Sequence, residues 1–286
     1  MRSSPIRPTT LLGIKSYASD LKKSLGLGHI AALQQAAEAA GYQNLSHAKA
    51  ALASPATVLA PRHITIITCH WKDRKTKNTG TEGLAVDLAT PLWDIATVEQ
   101  MKKDPLLSDF FVYDKKQLVA DAIRSSQDSA RQTINQVARV LQFMDATGLR
   151  PSRSHRRIYP GNTSQNRIPG ADHTRAWFDP ATRAFLMTDE PYDFAIERRV
   201  NERAQWADRH KYQVLKAKWQ GMYAPDVGSR LYLVGNVTQS IALGKMLAAI
   251  DKLPDAFCGD NWLGVSLATA GLVIPDNQLN APVRAS

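Results

Sequence analysis

The sequence of 286 residues contains little cysteine, and its cysteines form no recognisable pattern. Cys69 and Cys258 are the only two, and neither lies in a CxxC pair. A disulfide framework or a cysteine-ligated zinc cluster needs more cysteines at short, fixed spacings, so both are excluded. Each thiol is predicted to be buried, because free cysteine packs like a small hydrophobic side chain.

Long apolar runs are also missing from the sequence. The longest candidates, residues 64–69 and 231–234, have the length of strands, whereas a membrane span needs about 20 apolar residues. The first ten residues, MRSSPIRPTT, lack the apolar segment that a secretory signal requires. These absences predict a cytoplasmic protein that makes no contact with a membrane.

Signatures of the common enzyme classes are absent as well. The sequence contains no HExxH, P-loop, GxSxG or GxGxxG pattern, so the usual hydrolase, nucleotide and dinucleotide signatures give no support. The motifs therefore leave open whether the chain is an enzyme, and they identify no cofactor.

What the sequence does contain is an excess of positive charge. Lys and Arg number 36 against 26 Asp and Glu, which gives a formal net charge of +10 at pH 7. Hydrophobic residues make up 44% and charged residues 22% of the chain, as in ordinary folded domains. The basic excess favours an anionic partner such as nucleic acid, although charge carries no information about the fold.

Apolar spacing divides the chain into a small helical module and a larger domain. The module spans residues 1–57, and its glycine-separated patterns predict three helices. These helices cover residues 12–25, 29–40 and 45–52. Pro55 and Pro61 indicate a linker to the larger domain at 62–271, and residues 272–286 are predicted to be a flexible tail.

The larger domain combines helices with mostly antiparallel strands, so the predicted fold class is α+β. An amphipathic pattern predicts a long helix over residues 127–147. A hairpin is predicted around the turn at 179–182, with Phe178 paired to Arg183. The other predicted strands cover 64–69, 84–88 and 230–235, and the other predicted helices cover 97–103, 115–124, 194–218 and 238–252.

The helical module has one feature of a DNA-binding unit. Residues 34–48 show the spacing of a helix-turn-helix, with Ala37 four positions before Gly41. A recognition helix should present arginine, asparagine or glutamine to base edges, and residues 45–53 offer few polar side chains among alanines. The module is therefore interpreted as a packing unit or a surface for a protein partner, with sequence-specific DNA binding as the alternative.

The segment LKKSLGLGHIAALQQAAEAAGYQNLSHAKAAL at residues 21–52 resembles the small helical module that precedes domains in bacterial glyoxalase-related proteins. Its glycines together with His29, Tyr42, Asn44 and His47 match that motif. The whole chain, including the DHTRAWF and TDEPY strings, is similar to an uncharacterised bacterial family associated with plasmids and integrated mobile elements. The resemblance implies a context and no mechanism, because the matched segment contains no metal-ligand set.

Two loops concentrate basic residues beside aromatic rings. The first, next to Trp71, carries Lys72, Arg74, Lys75 and Lys77. The second, next to Tyr159, carries Arg150, Arg153, Arg156 and Arg157. Such a mixture suits phosphate contact combined with base stacking, and the planar fork of arginine grips phosphates with two donors. These residues are the predicted nucleic-acid-binding residues, with a purely solvated basic surface as the alternative.

A second candidate site follows from the predicted hairpin register. In that register His173 lies opposite Thr188, close to Asp189 and Glu190. One imidazole and two carboxylates could hold a divalent metal that activates water. The metal site requires a bend before Pro191, since successive strand residues point to opposite faces. In the structural alternative, the same acids pair with neighbouring arginines.

The sequence thus predicts a nucleic-acid-associated accessory protein of a bacterial mobile element that contacts phosphate through its basic loops. One alternative is a metal-assisted enzyme centred on His173, Asp189 and Glu190, with a divalent metal as its cofactor. The other is a non-catalytic protein-interaction module. A continuous basic face would favour the first function, and a concave pocket joining His173 to the two acids would favour the enzyme.

Overall fold

A computed structural model describes residues 11–53, 63–239, 241–255, 257 and 262–268. The chain divides into two units, Met1–Pro61 and Arg62–Ser286. The described residues form helices and two five-stranded, mostly antiparallel sheets, which confirms the predicted α+β class. None of the described helices is both long and apolar enough to cross a membrane. The predicted linker after residue 53 and the predicted tail at 272–286 lie outside the described residues.

The smaller unit is built from helices, as its glycine-separated patterns predict. In the described residues these are α1 (Leu11–Leu25), α2 (His29–Ala39) and α3 (Leu45–Ala53). Small buried side chains, including Ala32, Ala36 and Ala48, line their shared core and let the helices approach closely. Asn44 caps α3, because its Oδ1 accepts the N–H of His47 at 2.7 Å.

The larger unit contains both sheets. Its strands are β1 (His63–Lys72), β2 (Thr79–Leu88), β3 (Phe110–Asp114), β4 (Gln117–Ala120), β5 (Arg150–Pro151), β6 (Arg175–Asp179), β7 (Ala184–Asp189), β8 (Tyr212–Lys216), β9 (Tyr232–Asn236) and β10 (Val265–Ala268). Its α-helices are α4 (Leu92–Ile95), α5 (Val98–Met101), α6 (Gln127–Thr147), α7 (Asp193–Ile196), α8 (Val200–His210) and α9 (Leu243–Ile250). The strand order is β10-β2-β1-β4-β3 in the first sheet and β5-β6-β7-β9-β8 in the second.

Helix α6 connects the two sheets, and its bounds agree with the predicted helix at 127–147. The Ser126 hydroxyl caps its start by accepting the N–H of Ser129, and Gly148, with φ of 73°, ends it. The helix packs against β1 and β2. Phe143 of the same helix contacts Trp177 of β6, with ring centroids 4.7 Å apart. Residues of both sheets therefore share one apolar core around α6.

Two predicted helices contain strands instead. The predicted helix at 115–124 contains β4, whose Leu118 is buried and which pairs in parallel with β1. The predicted helix at 194–218 ends before Lys211, which has φ of 60°, and Tyr212–Lys216 forms β8 beside β9. Pairing with strands distant in the sequence overrides local helix propensity in both places.

The hairpin of β6 and β7 positions the candidate site, and its register differs from the predicted one. Phe178 pairs with Phe185 instead of Arg183. The reason lies in the turn, where Arg183 donates its N–H to the carbonyl of Asp179 at 2.8 Å and adopts φ of 59°. Arg183 therefore belongs to the turn, and β7 begins at Ala184.

Candidate functional site

The first predicted basic loop is a short turn between β1 and β2. The Asp73 carboxylate closes it by accepting the N–H groups of Thr76 at 2.8 Å and Lys75 at 2.7 Å. These two hydrogen bonds lower the pKa of Asp73. The basic side chains of this region are all exposed, namely Lys72, Arg74, Lys75 and Lys77. The turn thus presents solvated positive charge at one end of the first sheet.

In the second basic loop, two arginine side chains donate hydrogen bonds to backbone carbonyl groups. Arg150 donates to the carbonyls of Gly148 at 3.0 Å and Asp94 at 2.7 Å. Arg153 donates to the carbonyl of Lys102 at 2.7 Å. These bonds tie the loop to the region of α4 and α5 and occupy donors that a ligand would otherwise use. The bonds leave the positive charge of both groups in place.

Arg157 is placed differently, because it stacks on an aromatic ring. Its guanidinium carbon lies 4.1 Å from the ring centroid of Phe185. Phe185 contacts Phe178, its partner across the hairpin, at 5.2 Å between ring centroids. The neighbouring Ile158 and Tyr159 are buried in the cluster that covers this face of the second sheet. The exposed Arg157 side chain therefore lies on an anchored aromatic platform.

Arg157 and Arg183 line the same open cavity, which we call the arginine cavity, at the turn end of the hairpin. It has a volume of about 440 Å³. The rest of its polar lining comes from Asn162, Thr182, Thr238 and Gln239. None of the described residues that line it is acidic. The cavity is thus an electropositive, polar site with an aromatic wall.

A second cavity, of about 300 Å³, adjoins the first through Phe185, which lines both. Lys103 and Arg150 contribute its positive charge, and Ser152 and Ser154 contribute hydroxyl groups. We call the two cavities together the basic groove. Residues of the second basic loop and of the β6–β7 hairpin therefore line both cavities, whereas the first basic loop belongs to the other sheet.

The structure does not bring the predicted metal ligands together. β7 ends at Asp189, and the carboxylates of Asp189 and Glu190 bind different partners. Asp189 forms an ion pair with Arg203 of α8 at 2.8 Å. In the described part of the chain, no three His, Cys, Asp or Glu side chains are arranged to hold a metal ion. His173 therefore shares no coordination sphere with the two acids.

Glu190 instead holds a backbone loop. It is fully buried, and its Oε2 accepts the N–H groups of Met222 at 2.7 Å and Tyr223 at 2.8 Å. Arg139 of α6 binds the carbonyls of these two residues at 3.0 and 2.9 Å. Gly221 has φ of 102°, and a Cβ at this position would lie 2.6 Å from Oε2 of Glu190. Burial raises the pKa of Glu190, although nearby arginines and these hydrogen bonds oppose the shift.

His173 belongs to a polar group at the end of the hairpin opposite the turn. Its backbone has φ of 48°, a strained conformation for a side chain with a Cβ. Its ring stacks on Tyr223 at 3.5 Å between centroids and meets Tyr192 edge-on at 5.9 Å. Its Nε2 lies 3.3 Å from the Asp172 carboxylate. We call these residues with Glu190 the open-end cluster, whose polar groups largely contact one another.

Of the eight described residues that line the arginine cavity, the sequence pointed only to Arg157 as a site residue. Sequence analysis assigned Arg183 to a strand and Gln239 to a helix, whereas one lies in a turn and the other precedes α9. It also left Phe178 and Phe185 out of the site. The sequence does carry a signal for this pair, because the Asp179-Pro180 turn lies between them and brings them opposite each other.

Comparison of the chain with protein-family models, with curated proteins and with solved structures yields no match. Function is therefore inferred from the site. The arginine cavity presents two exposed guanidinium groups to solvent, whereas in the open-end cluster Glu190 is fully buried and the half-exposed Asp172 carboxylate lies 3.3 Å from His173. The arginine cavity is thus the candidate binding site.

Proposed function

We propose that this chain is a nucleic-acid-associated accessory protein that binds phosphate groups in the arginine cavity. The observation that carries the proposal is the meeting of Arg157 and Arg183 in one open cavity beside the Phe178–Phe185 pair. Arg157 comes from the loop that the sequence marks as basic, and the hairpin turn adds the second arginine.

The chemistry of the groove supports phosphate binding. Guanidinium groups are always charged, and their planar fork of N–H donors matches the oxygens of a phosphate. Both arginines of the cavity are exposed. Lys103 and Arg150 extend the positive charge into the adjoining cavity. A charged groove with aromatic side chains is the usual arrangement for following a nucleic-acid backbone.

The setting in a bacterial mobile element is part of the same proposal. It rests on the resemblance carried by residues 21–52 and by the DHTRAWF and TDEPY strings. In this setting the protein acts in the cytoplasm. The helical module then serves as a surface for a protein partner, because its helices present few side chains suited to base edges.

The salt dependence of binding tests the proposal on the full chain. A fluorescein-labelled single-stranded DNA of about 20 nucleotides is titrated at several salt concentrations, with binding measured by fluorescence anisotropy. Each neutralised phosphate of a single strand contributes about 0.7 to the slope of log affinity against log salt. The double variant Arg157→Ala/Arg183→Ala should therefore lower the slope by about 1.4.

Arg209→Ala is the matched control, because it removes an exposed positive charge of α8 outside the cavity. The slope of this variant should match that of the parent protein. If Arg209→Ala lowers the salt slope as much per arginine as the cavity variant does, DNA binding depends on net charge alone and not on the cavity. If the parent protein does not bind DNA at about 50 mM salt, the proposal is wrong.

A further inference from the structure

We infer that the arginine cavity receives one unpaired nucleotide, whose base stacks on Arg157 and donates a hydrogen bond to Gln239. The inference rests on the proposed function and adds the class of nucleic acid, which is single-stranded. Three features of the cavity carry it: a guanidinium with one face on an aromatic ring, a second arginine in the same cavity, and a buried acceptor.

The guanidinium of Arg157 is prepared for stacking. One of its faces covers the ring of Phe185 at 4.1 Å, and the same side chain lines the cavity. The opposite face is therefore the one that a ligand in the cavity meets. Guanidinium planes stack on bases as aromatic side chains do, so a base would extend the series from Phe178 through Phe185 and Arg157.

The second arginine of the cavity, Arg183, binds the phosphate of the nucleotide whose base stacks on Arg157. Arg183 lines the cavity together with Arg157, so one nucleotide can meet a stacking plane and a phosphate ligand at once. The volume of about 440 Å³ lies within the range of about 300–1,000 Å³ found for small-molecule sites. A base within a duplex is covered on both faces and paired along its edge, so it cannot enter without leaving the stack.

Gln239 supplies a polar contact for the base. Its Oε1 is buried and has no hydrogen-bond partner within the described residues. A buried acceptor without a partner is unfavourable, and Gln239 lines the cavity, so rotation of its side chain toward a ligand that brings an N–H donor is favoured. Each unpaired base carries such a donor on its Watson–Crick edge, and pairing occupies that donor. The contact therefore selects unpaired bases without selecting one base strongly.

Three DNA probes of equal length separate the contributions of base, phosphate and pairing. Oligothymidine carries unpaired bases, an abasic oligonucleotide keeps the phosphates alone, and a blunt-ended duplex keeps its bases paired. At equal salt, the full chain should bind oligothymidine about tenfold more tightly than either of the others, because only this probe allows stacking.

Arg157→Lys separates stacking from charge, because lysine keeps the positive charge and lacks the planar face. This variant should bind oligothymidine about tenfold more weakly than the parent protein does. Its affinity for the abasic probe should be unchanged. A comparable loss for the abasic probe would show that the guanidinium plane of Arg157 contributes to binding without a base, which overturns stacking.

Gln239→Leu tests the hydrogen bond. The substitution replaces a buried, unpartnered polar atom by an apolar group, so the fold should be retained, which a thermal melt checks. Affinity for oligothymidine should fall about fivefold, with no change for the abasic probe. Unchanged affinity for oligothymidine would remove Gln239 from the site and overturn the proposed base contact.

The probes also distinguish this inference from the proposed function. If the parent protein binds all three probes equally and the Arg157→Ala/Arg183→Ala variant still lowers the salt slope, phosphate binding stands and the unpaired-nucleotide inference is overturned. If no probe binds at about 50 mM salt, both are overturned.

Discussion

The two ends of the β6–β7 hairpin use charged residues in opposite ways. At the turn end, Arg157 and Arg183 are exposed and line a cavity. At the other end, Asp189 and Glu190 are fully buried, and Asp189 is paired with Arg203. Charges bonded within the chain hold the fold, whereas charges left on a cavity wall remain available to a ligand. A dense group of charged residues is therefore a weak indicator of a binding site until its partners are known.

The largest effect is expected from breaking the buried ion pair. Arg203→Ala leaves the Asp189 carboxylate buried without its partner, so the free energy of unfolding should fall by about 3–5 kcal/mol. Urea denaturation followed by circular dichroism measures this loss. A decrease below about 1 kcal/mol would mean that water or another group replaces the arginine, and the proposed division between the two ends would lose its basis.

A smaller effect is expected at the glycine beside Glu190. Gly221→Ala places a Cβ 2.6 Å from Oε2 of Glu190 at φ of 102°. The strain should lower the free energy of unfolding by about 1–3 kcal/mol. Gly244→Ala in α9 is the control, because a Cβ there meets no atom within 4 Å. The control should be neutral or stabilising by up to about 1 kcal/mol, and similar losses in both variants would contradict the proposed close contact.

The pH dependence of stability reports on the buried carboxyl group of Glu190. Its pKa in the native state is raised above the usual 4.5. At a pH between 4.5 and this raised pKa, the native state holds a proton that the unfolded state has released. In this window the contribution of Glu190 to stability grows as the pH falls. The free energy of unfolding of the parent protein, relative to Glu190→Gln, should therefore rise on acidification by up to about 1.4 kcal/mol per pH unit.

Denaturation of the two proteins at a series of pH values provides this comparison. The glutamine variant is its own control, because it keeps an acceptor for the N–H groups of Met222 and Tyr223 and cannot titrate. A difference that shrinks on acidification would show that these hydrogen bonds outweigh burial and hold the carboxylate ionised.

The smallest effect on stability is expected at the turn end of the hairpin. Arg183→Ala removes an exposed side chain, so the free energy of unfolding should change by less than about 0.5 kcal/mol. The same variant should lower the salt slope of DNA binding by about 0.7. A large loss of stability would place Arg183 among the residues that hold the fold and would end its contrast with Asp189.

The elements that sequence analysis predicted correctly are those whose main determinants are local. The helix at 127–147 carries its own apolar face, and its ends are set by Ser126 and Gly148 beside it. The strands β4 and β8 were predicted as helix, because their partners in the sheets lie far away in the sequence. The predicted register of the hairpin was wrong because Arg183, which was assigned to the strand, belongs to the turn. Its positive φ depends on the folded turn.

For the candidate site, the sequence by itself determined that basic side chains concentrate at residues 150–157 and that a turn follows Phe178. Only the tertiary structure decided which arginines meet a cavity. Arg150 and Arg153 bond to carbonyl groups of a segment far along the chain, whereas Arg157 stacks on Phe185. The physical reason is that hydrogen-bond partners and ring contacts come from distant residues, and the spacing of charges along a loop carries no information about them.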